Sequence, residues 1–141
     1  MAQTYAPEVA GLGTTPSTAA NGGVQGGRLR RFRATVTFAS QAAGDTVVLA
    51  RVPAGHTFAY GIVNNSASFG ASATVAIGPS SASGKYRTAA VLTTTGPVLI
   101  GNYTAADDVP LTAEETVLLT VAVAALPSSG SAVIDLYFSA P

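Results

Sequence analysis

In the run Arg30-Arg31-Phe32-Arg33-Ala34-Thr35-Val36-Thr37-Phe38 the side chains alternate in character. Phe32, Ala34, Val36 and Phe38 share one side, and Arg31, Arg33, Thr35 and Thr37 share the other. A backbone that sends successive side chains to opposite faces is a β-strand, and this one buries a single face. The period of two then recurs towards the C-terminus. After the turn Gln41-Ala42-Ala43-Gly44-Asp45, Thr46 to Val52 is a second strand, stopped by Pro53-Ala54-Gly55. His56 to Val63 sets Phe58, Tyr60 and Ile62 on one side and ends at Asn64-Asn65-Ser66. Asn accepts positive φ and bonds its own backbone, which suits it to a turn.

Ala71 to Ile77 reads as a further strand closed by Gly78-Pro79, and Ser80 to Gly84 loops into Lys85-Tyr86-Arg87. Ala89 to Thr95 and Val98 to Tyr103 flank a Gly96-Pro97 turn. Val109-Pro110-Leu111 reads as a loop or short edge, because proline cannot donate to a ladder. Glu115 to Ala124 and Ala132 to Phe138 are expected to close the chain as a hairpin around Pro127-Ser128-Ser129-Gly130. In the last strand Val133, Asp135 and Tyr137 oppose Ile134, Leu136 and Phe138. No stretch sustains the three-and-four apolar spacing of a helix, and Ala105 to Glu115 is the best place for a helical turn. About eight antiparallel strands at short spacing predict an all-β fold, a β-sandwich or jelly roll.

Residues 1–27 are of another kind. Small, polar and glycine-rich, they offer too little apolar area to offset the entropy of ordering them alone. Tyr5, Val9, Leu12 and Val24 are nevertheless spaced along them like anchors, more apolar than a Gly/Ser linker would carry. The expectation is an extended arm, flexible in isolation and ordered on assembly, ahead of a β-sandwich over residues 28–141.

Charge limits the setting in which such a chain is stable. It has 7 basic and 7 acidic residues, a formal net charge of zero, and 10% charged residues in all. A soluble domain usually carries about 25%, and free monomers keep a mixed, charged surface with net charge away from zero. A surface without that protection is either Ser, Thr, Gly and Ala or is covered by neighbouring subunits. The few charges are segregated: four arginines against Glu8 give +3 before position 41, and five acids with no base give −5 from Gly101 onwards. Arg28, Arg30, Arg31 and Arg33 are therefore read as contacts to acids on a neighbouring subunit, with Asp107, Asp108, Glu114 and Glu115 as the candidate partners. An exposed strand whose charges deter edge pairing is the plainer reading of the same arginines. Nucleic acid is not expected, since the whole chain is neutral and no aromatic platform accompanies the arginines.

Catalysis is not expected either. His56 is the one histidine, and no serine lies in a nucleophile-elbow sequence. The acidic pairs Asp107-Asp108 and Glu114-Glu115 match no calcium-loop spacing, and without cysteine there is no thiolate metal site or disulfide. Gly22-Gly23-Val24-Gln25-Gly26-Gly27 opens a strand rather than a helix, so it is no phosphate loop. No cofactor or metal is called for. The N-terminus lacks the basic start and apolar run of a signal peptide, and the apolar stretch Val117 to Leu126 falls short of the roughly 20 residues that span a bilayer.

Several runs together are distinctive: Gly26-Gly27-Arg28-Leu29-Arg30-Arg31-Phe32-Arg33-Ala34, Val52-Pro53-Ala54-Gly55, Ser66 to Gly78, Lys85-Tyr86-Arg87-Thr88-Ala89-Ala90, and Leu126-Pro127-Ser128-Ser129-Gly130. In these the chain, from about Gly22 to Pro141, resembles small virion structural proteins of tailed bacteriophages, including capsid decoration or cement proteins. The resemblance implies a β-sandwich bound to the outside of a head shell, partnered by the major capsid protein and commonly trimeric. It also implies a place on the capsid surface of the virion, after synthesis in the host cytoplasm. A tail-associated or carbohydrate-binding β-sandwich adhesion module is the rival expectation; it would use exposed aromatics such as Tyr60, Phe69, Tyr86 and Tyr103 to stack on sugars.

Overall fold

The computed structural model describes residues 4, 6–19, 22, 25–106 and 110–141, with Glu8 and Leu12 described in backbone only. Eight strands follow one another: β1 (Arg28–Thr37), β2 (Thr46–Val52), β3 (Thr57–Asn65), β4 (Thr74–Gly78), β5 (Arg87–Val91), β6 (Gly96–Ile100), β7 (Glu115–Ala122) and β8 (Ser131–Ala140). Their pairing is nested. The first strand lies against the last, β2 against β7, β3 against β6 and β4 against β5, all antiparallel. The chain is thus one long double-stranded ribbon. It wraps so that β8 also pairs with β3 and β7 with β4. Two four-stranded sheets result, ordered β1-β8-β3-β6 and β2-β7-β4-β5. This strand order is that of the double-sheet jelly roll, the more specific of the two β architectures expected from sequence.

One expected hairpin and one expected turn are corrected by this order. Residues 123–130 carry the chain from β7 in one sheet to β8 in the other, so the last two strands are not paired. Likewise Gly96-Pro97 opens β6 rather than turning between partners, because β5 and β6 lie in opposite sheets. Among the described strands only β4 and β5 are consecutive and hydrogen-bonded to each other. The one α-helical turn among the described residues, α1 (Tyr103–Ala106), lies at the front of the stretch expected to hold one.

Register in the long β1–β8 ladder runs unbroken from Arg28↔Ala140 to Thr37↔Ser131. Bulges at Val48/Ala50, Phe58/Tyr60 and Val75/Ile77 bend the other strands, as is needed to curl two sheets around one core. The inner face of β8 is buried through Ala132, Ile134, Leu136 and Phe138, matching the alternation seen in the sequence. Phe138 stands among three other rings: Phe32 at 5.7 Å, Phe58 at 5.4 Å and Tyr86 at 5.7 Å between centroids. At the opposite end Phe38 and Phe69 tilt together at 4.8 Å. Arg87, half-buried and with its pKa lowered by burial, donates to the main-chain oxygens of Val75, Ala90 and Val91 and ties β5 to β4 at the bulge.

Gly130 lies in the connection into β8 with φ of 115°, in the left-handed region where a side chain is strained. A Cβ there would sit 2.8 Å from the Phe38 ring and 2.9 Å from the Ala67 methyl. Gly130→Ala is expected to lower stability by about 2–3 kcal/mol, read as a fall in the urea midpoint at unchanged m. A loss under about 0.5 kcal/mol would mean that this turn relaxes freely.

Candidate interaction surface

Alternation within the β1-β8-β3-β6 sheet decides which side chains leave the core. Outward along β1 stand Leu29, Arg31, Arg33 and Thr35, opposite Ser139, Tyr137, Asp135 and Val133 of β8. On the other flank of β8, Tyr137 faces Tyr60, and Asp135 faces Ile62, which in turn neighbours Leu99 of β6. Tyr60 and Tyr137 stack with centroids 4.7 Å apart and planes 18° from parallel. Leu29 and Leu99 are 55% and 72% exposed. The face is therefore a sheet-mounted mixture of tyrosine, arginine and aliphatic groups, the residue types that dominate binding surfaces.

One ion pair organises its centre. Arg33 donates from Nε to Asp135 Oδ1 and from its terminal nitrogen to Oδ2, both at 2.7 Å. Two parallel hydrogen bonds of this kind fix the guanidinium in one plane. Asp135 is 8% exposed. The hydrogen bonds from Arg33 hold its carboxyl below the usual carboxylate range, against the opposing effect of burial, and the charge of Arg31 adds to the effect. The same hydrogen bonds raise the Arg33 pKa. Because the Asp135 pKa is depressed on folding, its contribution is complete above its unfolded value of about 3.9 and is lost as pH falls through the folded value. Asp135→Asn is expected to cost about 1 kcal/mol at pH 7, allowing for solvent screening of the pair. The difference from wild type should be smaller at pH 3 than at pH 7, because the carboxyl protonates as pH falls. Urea titrations at both pH values check this; an equal gap at both would exclude the ionised pair as its source.

The other candidate residues fall in different places. Arg28 and Arg30 have the inward parity of β1, but they lie beyond the core at the sheet's end, where both are exposed. Glu115 opens β7 and is engaged within the chain: Lys85 Nζ lies 3.1 Å from its Oε2, and the buried Tyr86 hydroxyl donates to Oε1. Lys85 also sits 5.2 Å above the centre of the Tyr86 ring. Glu114 is exposed and borders, with Lys85, Glu115, Ser80 and Leu111, an open cleft of about 520 Å³ at the same end of the sandwich. Val9 is half-buried within a 3-10 turn at Pro7–Gly13. Tyr5, Val24, Asp107 and Asp108 lie outside the described residues, as does the side chain of Leu12.

Sequence reasoning missed Asp135 as the partner of Arg33 and missed the tyrosine stack. The alternation of β1 and β8 set Arg33, Asp135 and Tyr137 apart from the apolar side, but Tyr60 was grouped with Phe58 and Ile62, and the bulge at Phe58/Tyr60 sends Phe58 into the core and Tyr60 to the outer face. The missing element was register, which no local pattern supplies. His56 is half-buried, turning its ring edge-on to Phe32 at 6.0 Å, and makes no hydrogen bond to a serine or carboxylate among the described residues. Those residues also contain no cluster of three or more histidine, aspartate or glutamate side chains able to hold a metal ion.

No protein-family model matches the chain, and no curated protein is similar to it in sequence. Its fold does have solved counterparts. A chain of the cyanophage Pam1 capsid asymmetric unit is similar with a TM-score of 0.65 at 19% identity, over 88% of this chain and 93% of that one. A chain of the capsid of Ralstonia phage GP4 is similar with a TM-score of 0.64 at 17% identity, over 82% and 86%. At such identities the likeness establishes the common jelly roll.

Proposed function

We propose that the chain is a structural protein of a tailed-phage virion that decorates and stabilises the head. The β-sandwich seats on the outer shell formed by the major capsid protein, as a homotrimer or another symmetric oligomer, and residues 1–27 reach across to neighbouring capsomers. It acts by binding and not by catalysis. The supporting observation is the fold, similar to chains from two phage capsids over more than four-fifths of this chain. A jelly roll alone is compatible with many roles; the scarcity of charge, and a sequence over residues 1–27 too poor in apolar area to order alone, favour a part that is completed by its lattice.

Phage heads purified without the chain provide the test. Added protein is expected to co-sediment with them, to appear by electron microscopy as sandwich-sized density on the outer surface, and to raise the temperature at which heads disrupt. Density at the tail, or protein left wholly in the supernatant, would overturn the assignment.

A further inference from the structure

We propose that the outer face of the β1-β8-β3-β6 sheet is the docking surface for an acidic protein partner, anchored by the Tyr60–Tyr137 stack and rimmed by the arginines of β1. This deepens the proposed function and rests on it: the acidic partner is the head shell, and the inference specifies which side of the sandwich meets it.

The two outer faces differ in what they offer. Along β2, β7 and β4 the outward positions are threonine, alanine and aliphatic side chains such as Thr46, Val48, Leu118 and Thr120, with Arg51 as the one charge and no ring. Such a face lacks both an aromatic anchor and a row of basic groups. The opposite face carries two tyrosines already held against each other by adjacent strands. Rigid aromatic side chains give contact area with little loss of conformational freedom, so a prestacked pair is a ready anchor. Exposed Leu99 extends its apolar ground on the far side.

Charge selects the occupant. Arg33 takes both oxygens of Asp135, so Arg31, Arg33 and Asp135 together leave one net positive charge on this face, and exposed Arg28 and Arg30 continue the basic rim at the end of β1. The described residues show no ion pair for Arg28, Arg30 or Arg31. A second copy docked through the same face around a twofold axis would bury two faces of the same net positive charge against each other, which like-charge repulsion disfavours. A surface of negative potential is favoured by the same charges. The arm adds continuity, because it runs into β1 at Arg28 and therefore leaves from this sheet. A partner on the face is within reach of the arm as well.

Size indicates the strength of the contact. Four strands about 4.8 Å apart and six to eight residues long make a patch of roughly 400–500 Å², below the about 800 Å² that each partner gives to a standard interface. Docking by the face alone is accordingly weak, and it gains from symmetry-related copies and from the arm.

The test compares variants on the two faces using chain-free heads as the probe, with melting curves confirming that each variant folds. Arg31→Glu and Leu99→Asp are expected to weaken binding by about tenfold or more, and wild-type binding should fall steeply as salt rises. Val48→Asp, on the other face at a site 60% exposed, should bind within about twofold of wild type. The inference is overturned if Val48→Asp abolishes binding while Arg31→Glu and Leu99→Asp leave it intact, although the proposed function then stands. It is also overturned if the face variants dissociate the oligomer in sedimentation velocity and still bind heads, since the occupant would then be a second copy. Wild-type protein that ignores heads altogether would remove the proposed function itself, and the inference with it.

Discussion

Phe138→Ala is expected to destabilise the sandwich by about 3–5 kcal/mol, the upper range for truncating one buried side chain. Phe138 is fully buried, and its ring meets those of Phe32, Phe58 and Tyr86. These neighbours come from β1, β3 and the approach to β5, so one side chain joins three separate segments of the wrapped ribbon. Relaxation into the vacated space is restricted because β8 is hydrogen-bonded on both edges, to β1 and to β3. Small domains have about 5–15 kcal/mol of total stability, so the variant should melt more than about 10 °C below wild type. Phe138→Leu keeps most of the volume and should lose less than half as much. A loss under about 1.5 kcal/mol for the alanine variant would show that the aromatic cluster can collapse around the gap, and the three segments would then have to be held together chiefly by their ladders.

The same residue shows what was legible in the sequence. Its inward position follows from the alternation Val133-Ile134-Asp135-Leu136-Tyr137-Phe138, as the inward position of Phe32 follows from the alternation of β1. Faces are local properties, set by a period of two. Partners are not. Arg33 and Asp135 are more than a hundred positions apart in sequence, and only the nested pairing brings them to 2.7 Å. Counting charges led instead to a reading in which the arginines sought acids on another subunit. Arg33 and Glu115 have partners within the chain, and Arg28, Arg30, Arg31 and Glu114 are the described charged candidates still available to a neighbour. The final hairpin misled for a related reason. Pro127-Ser128-Ser129-Gly130 reverses the chain just as well when the next strand belongs to the opposite sheet, because turn chemistry fixes a change of direction and not the identity of the partner.

Removing residues 1–27 is expected to weaken attachment to heads by at least about a hundredfold while leaving the sandwich folded. The second half of this expectation follows from the packing: the 3-10 turn at Pro7–Gly13 makes at most marginal contact with any strand, and the core is built from Val36 onwards. The truncated chain should therefore melt within about 2 °C of the full one. The first half follows from tethering. A sheet face too small for tight binding and an arm that binds elsewhere on the shell reinforce each other, since engagement of one holds the other at high local concentration. Ordering the arm opposes this gain, because its glycine-rich backbone has much freedom to lose. Two glycine-to-alanine changes in 22–27 should therefore strengthen attachment slightly if the positions adopt ordinary φ when bound, whereas Gly26, with φ of 73°, should not tolerate the change. Occupancy on purified heads, measured against concentration for the full and truncated chains, gives the ratio directly. Equal occupancy would mean that the sandwich alone carries the attachment, and the arm's spaced apolar residues would then need another partner.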